Sequence, residues 1–216
     1  MKLEVKYSIE KDAQTYIDYI FNFKSFRHGR GNIQENLLSK LDLPLQVILN
    51  SAKNDQEAFS KTRDYLEQIY SPNKEVIVDS ITKLKNVWDR IGDSLIYSLE
   101  FLYKKPFPFK EAAAYITTNF IFPYNYKQKY FFVNYKYLSS QLNTIKHELN
   151  HFMFYYYYPV IKNLDLEKYE LLKESITFFS NPEQEGKPNE KPLRDLYKSK
   201  IWNSLDEAIV EATKLL

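Results

Sequence analysis

His147-Glu148-Leu149-Asn150-His151 reads H-E-x-x-H, within residues 139–158, whose apolar spacing is that of a helix. On a helix the two histidines stand one turn apart, offset by roughly 40° and about 6 Å along the axis. Two imidazoles on one face at that separation can converge on a single tetrahedral ion. Glu148 follows the first histidine by roughly 100°. It therefore lies beside such an ion rather than on it, where a carboxylate can take a proton from a water. The competing reading is a coincidental pentapeptide on a solvated helix. The chain has only three histidines, however, and two of them flank this glutamate.

A metal centre needs a third protein ligand, and the chain has no cysteine to supply one. The third histidine, His28, lies far upstream. Downstream, Glu170 and Glu174 are i and i+4 on a predicted helix, so both can face the helix of the motif. In these residues the chain resembles the gluzincin metallopeptidases, the clan of thermolysin and the zinc aminopeptidases. There a second helix carries a glutamate ligand followed by a small and then an apolar residue. Lys173-Glu174-Ser175-Ile176-Thr177 fits that pattern, so the resemblance implies zinc held by His147, His151 and Glu174, with Glu148 as general base. Glu170 follows His151 after 18 residues, the spacing of the aminopeptidases, and is the alternative ligand or the acceptor that orients an imidazole. The resemblance spans residues 144–179. Phe154 and Tyr157 stand where the metzincins carry Gly and His, and Phe178 where thermolysin-like enzymes carry an orienting Asp.

Zinc hydrolysis also requires a donor for the oxyanion of the tetrahedral intermediate. The candidates are His28, in the Gly-containing basic loop of residues 27–32, then Tyr155 and Tyr158 beyond the motif, and Tyr197 farther on. In the clan the small sheet before the motif helix offers an edge strand to extended substrate. Backbone pairing of that kind holds a peptide without reading its side chains.

Working outward, 216 residues with 44% hydrophobic and 27% charged content fit a globular protein of one domain, or one with a helical lobe attached. The expected class is α+β. Residues 1–105 form a mainly helical lobe, and residues 106–216 a small antiparallel sheet followed by two metal-bearing helices. The resemblance makes the second part a zincin-like catalytic region, joined with the first in one compact unit. Short strands are expected at residues 2–7, 112–119 and 129–135. Helices are expected at 12–23, 33–41, 45–52, 55–69 and, starting from Ser71-Pro72, at 71–103. Two more close the chain, near 193–202 and 205–215, the last opened by a Ser204-x-x-Glu207 capping box.

A net charge of +2 gives little drive toward nucleic acid, despite the Tyr and Lys interleaved over residues 124–130. The longest apolar run, residues 152–161, is too short to cross a bilayer and contains Pro159. With no cysteine and no signal-peptide pattern at the start, a cytoplasmic protein is expected. The sequence thus points to a zinc-dependent metallopeptidase acting on a peptide or protein substrate, with no nucleic-acid or membrane partner. The alternative is a zinc-binding regulatory or interaction protein without hydrolytic activity.

Overall fold

A computed structural model of the chain describes residues 1–22, 37–134 and 138–216. A four-stranded sheet is built from β1 (Lys2–Tyr7), where apolar residues alternate, β2 (Glu111–Thr117), β3 (Tyr124–Asn125) and β4 (Tyr130–Asn134), in the order β1-β2-β4-β3. Its register places Leu3 beside Ala112, Val5 beside Ala114, and then Ala114 beside Phe131 and Ile116 beside Val133. These residues are all buried, so one sheet face is a continuous apolar surface. Across β1 and β2 the sheet joins the first residues of the chain to those beyond Pro106. On the opposite face, Tyr115, Tyr130 and Phe132 pack together beneath Lys11, whose ammonium lies 4.1 Å from the Tyr130 ring centre.

The expected antiparallel sheet is corrected here. β2 pairs in parallel with both β1 and β4, and only the two-residue β3 runs antiparallel, at the edge. The chain reverses twice between β2 and β4, once in residues 118–123 and again in the tight turn at Tyr126–Lys129, where Lys129 is left-handed at φ 54°. Two reversals restore the direction of β2. β4 can then slot in beside β2 and bury Phe131 and Val133.

The helices are α1 (Ile9–Tyr16), continued by a π-helical turn at Ile17–Phe21, α2 (Leu43–Ser51), α3 (Asp55–Tyr103), α4 (Leu138–Tyr157), α5 (Leu166–Ile176), α6 (Lys191–Lys198) and α7 (Leu205–Leu215). Side-chain caps start most of them. Asp42, Asn54, Asp165 and Ser204 each accept from a backbone N–H three residues on. α3 has 49 residues and is one uninterrupted helix, not the expected pair meeting at Ser71-Pro72. Pro72 is exposed inside it. The stripe Ala58, Thr62, Leu66, Tyr70, Ile77, Leu84, Trp88, Leu95 and Leu99 is buried on both sides of the proline, and this burial carries the helix through the missing hydrogen bond. Asn73 turns its amide onto the Ile69 carbonyl at 2.8 Å, satisfying an acceptor beside the break. Gly92 leaves room for the Trp88 indole, since a Cβ there would meet the ring at 2.6 Å.

Asp12 ties these parts together. Its buried carboxylate accepts from the Tyr70 hydroxyl of α3 at 2.6 Å, from the Thr118 N–H and hydroxyl at 3.1 and 2.6 Å, and from Thr117 at the end of β2. Burial pushes its pKa up, and the Thr117, Thr118 and Tyr70 hydrogen bonds pull it back.

Because Pro72 is exposed and interrupts a helix that packing already enforces, Pro72→Ala is expected to stabilise the protein by about 1–3 kcal/mol. Urea unfolding checks this, and an unchanged or lower midpoint would show that the helix is bent around the proline for packing.

Candidate metal centre

α4 carries the motif with Ile145, Leu149, Phe152 and Met153 buried in the core, and the Phe152 ring lies 6.1 Å from that of Phe131 on the sheet. That orientation turns His147 and His151 toward α5. Asn150, inside the motif, fixes the helix in place. It accepts from the Tyr103 hydroxyl at the end of α3 and donates to the Ser180 hydroxyl, 2.7 Å away, just beyond α5. α5 in turn buries Leu172 and Ile176, which presents Glu174 to the histidines.

The Glu174 carboxylate stands between the imidazoles. One oxygen is 3.6 Å from His147 Nε2 and the other 3.6 Å from His151 Nε2. The three ligand atoms lie within 4.8 Å of one another. A tetrahedral ion with bonds of about 2.0–2.1 Å needs donors about 3.3–3.4 Å apart, so small side-chain movements suffice to close the three around an ion. Among the described residues this is the group of His, Asp and Glu side chains that could hold a metal. His28 lies outside the described residues.

Glu170 is placed one turn before Glu174. Its carboxylate takes a hydrogen bond from the Tyr155 hydroxyl at 2.7 Å and an ion pair from Lys173 at 2.7 Å, and it stands outside the converging trio. Lys173 is fully buried and also meets Glu174 Oε1 at 3.1 Å and the Tyr124 hydroxyl on β3. Tyr124 sits with its ring 5.2 Å from that of His151, and burial, with the charges of Glu170, Glu148 and Glu174 behind it, holds its hydroxyl protonated. Three carboxylates, Glu148, Glu170 and Glu174, thus share this interior with one ammonium.

Glu148 is nearly buried yet borders a cleft of about 550 Å³, which it shares with His147, Phe122, Asn143, Asn181 and Gln184. Glu148 and His147 thus both face this cleft. Of the tyrosines named from the sequence, Tyr155 belongs to the Glu170–Lys173 cluster. Tyr158 bonds Asp206 and Tyr197 lies against Ser175. None of the three lines the cleft. Sequence reading missed Asn150, Lys173 and Tyr124. A lysine flanked by Leu171, Leu172 and Glu174 is a signal of burial only when the helix face is known.

Burial disfavours the charged form of His147, but Glu174 beside it and the charge of Glu148 outweigh that cost, with Lys173 opposing them, and its pKa is raised. The chain has no match among protein-family models, curated proteins or solved structures.

Two outcomes follow from this geometry. Glu174→Gln should weaken uptake of Zn2+ far more than Glu170→Gln, by at least about a hundredfold against about tenfold, because only the first removes a converging donor. Competition with a chromophoric chelator measures both, and the reverse ranking would move the third ligand to Glu170. The pH dependence should change sign with metal. Without it, the stability that His147 contributes is present below its unfolded pKa of about 6.5 and is lost as pH rises through its higher folded pKa. Metal needs the neutral imidazole, so the rise in Tm on adding Zn2+ should widen over the same window. An increment independent of pH would contradict ligation by His147.

Proposed function

We propose that the protein is a zinc-dependent metallopeptidase of gluzincin type, with His147, His151 and Glu174 as ligands and Glu148 as general base. The observation that carries this reading is the convergence of His147, His151 and Glu174 from two helices, with Glu148 set beside them at the cleft. A site that only bound metal would have no use for a carboxylate in that position.

When bound, zinc would polarise a substrate carbonyl and lower the pKa of water, the part of hydrolysis that side chains supply poorly. The remaining tasks fall to the chain. Glu148, with most of its surface withdrawn from solvent, accepts the proton of the attacking water and returns it to the leaving amine. Asn150 and the buried residues of α4 hold Glu148 and both histidines in one orientation, which saves reorganisation during the reaction. The cleft between Phe122 and the segment 180–184 offers the space for a substrate beside Glu148 and His147. β3 is the edge of the sheet nearest the site, and an extended peptide could add to it by backbone hydrogen bonds. Three amides line the cleft; Asn181 donates to the Asn143 carbonyl at 3.3 Å, and Asn143 and Gln184 are the two put forward to meet a developing oxyanion.

No helix of the described residues is long and apolar enough to cross a membrane, and a cleft open to solvent suits a dissolved peptide substrate.

The test is Glu148→Gln, which keeps the shape and removes the proton acceptor. The variant should fold and bind about one zinc per chain, as the wild type does. Cleavage of any peptide found in a library digest should fall by at least about a hundredfold. Equal cleavage by both proteins would refute the assignment of the base. Zinc binding with no cleaved peptide would favour a zinc-binding regulatory or interaction protein.

A further inference from the structure

Residues 180–184 form one wall of the cleft, and its two ends are held differently. At the near end Ser180 and Asn181 are buried. Both donate their backbone N–H to the Thr177 carbonyl, at 3.1 and 2.8 Å. The Ser180 hydroxyl also accepts from Asn150, and the Asn181 amide donates to the Asn143 carbonyl. Pro182, Glu183 and Gln184 are exposed, so apolar burial does not fix the far end. Among the described residues it is Arg194 on α6 that reaches it, with Nη1 donating to the Gln184 carbonyl at 2.9 Å. The Arg194 side chain is buried, and its other nitrogens are occupied too. Nε and Nη2 meet the buried Glu190 carboxylate at 2.9 and 2.8 Å. Nη2 also lies 3.3 Å from Thr177 Oγ1, just beyond α5. The backbone passes close over this guanidinium. A Cβ at Gly186 would stand 2.0 Å from Arg194 Nε, so the loop needs a residue without a side chain there.

We propose that Arg194 is a positioning residue for substrate binding: by holding the Gln184 carbonyl it sets the far wall of the cleft opposite Glu148 and His147. The inference rests on the metallopeptidase reading above and adds to it a residue that acts through Gln184 rather than on the reacting atoms. A guanidinium bonds its partners from three nitrogens in one rigid plane, so the wall, Glu190 and the end of α5 are fixed relative to one another. A lysine at this position would keep a positive charge against Glu190 but would reach from a single nitrogen. It could not hold all three partners in place. A wall fixed before substrate arrives spares the ordering that binding would otherwise cost.

The test uses the Zn2+-loaded full chain and compares a short probe with a long one by calorimetry. Acetohydroxamate is small enough to meet the ion and Glu148 alone. An N-acetyl-dipeptide hydroxamate, the tightest of a small set on the wild type, also extends along the wall. Arg194→Lys should bind acetohydroxamate within about twofold of the wild type, yet bind the dipeptide hydroxamate at least about tenfold more weakly. Gly186→Ala removes no charge and displaces the guanidinium from Gln184, so it should show the same one-sided loss. A merely structural Arg194 would lower Tm and leave the ratio of the two affinities at its wild-type value, and that result in a folded variant would overturn the proposal. Equal weakening of both probes would overturn it as well, because the effect would then lie at the metal centre and not at the wall. So would a wild type that binds no dipeptide hydroxamate more tightly than acetohydroxamate, since the wall would then meet no substrate. Should Arg194→Lys fail to fold, Gly186→Ala carries the test under the same outcomes. A wild type that takes up no Zn2+, or whose Zn2+ form binds neither hydroxamate, would instead remove the metallopeptidase reading itself, and this inference with it.

Discussion

The arrangement around Glu174 depends on a charge that cannot reach water. Lys173 is sealed between α4, α5 and β3, and it holds Glu170 and Glu174 on one side and Tyr124 on the other. Such a cluster is expensive to bury and more expensive to leave half-paired, so its members specify one another's positions. With α5 fixed against α4 in this way, a glutamate 23 positions after His151 comes within 3.6 Å of it.

The remainder of the fold supplies the rigid frame that such a cluster needs. α3 runs along the sheet and ends at Tyr103, whose hydroxyl reaches Asn150 in the middle of the motif. Asp12 joins α1, α3 and the end of β2 through hydroxyl and backbone donors. The ring of Phe131 on the central part of the sheet meets that of Phe152 one residue after His151. Each tie is a buried polar bond or an aromatic contact between elements far apart in sequence. Together they place the motif helix over the sheet, with β3 beside His151.

Much of the site was readable in the sequence because its main part is local. A helix of 3.6 residues per turn sets His147 and His151 on one face whatever surrounds them. Helix ends were legible for the same reason: Asp42, Asn54, Asp165 and Ser204 cap through bonds that span three residues. Two errors arose where local and distant terms compete. Ser71-Pro72 has the signature of a helix start, but the buried stripe of α3 outweighed it. Residues 112–119 and 129–135 read as strands of an antiparallel sheet, yet β3 intervened and β4 came to lie parallel to β2.

By itself, the sequence determined the local patterns of this protein: the alternating first strand, the amphipathic helices, their caps, and an H-E-x-x-H turn with Glu170 and Glu174 on one later helix face. These follow from bond geometry within a few residues. It left open which of the two glutamates meets the histidines, and it gave no sign that Lys173 is buried. Only the tertiary structure decided those points, because the two carboxylates differ by one helical turn and nothing local separates them. Packing of Leu172 and Ile176 into the core sets the rotation of α5, and that rotation turns Glu174 toward the imidazoles and Glu170 toward Tyr155 and the ammonium.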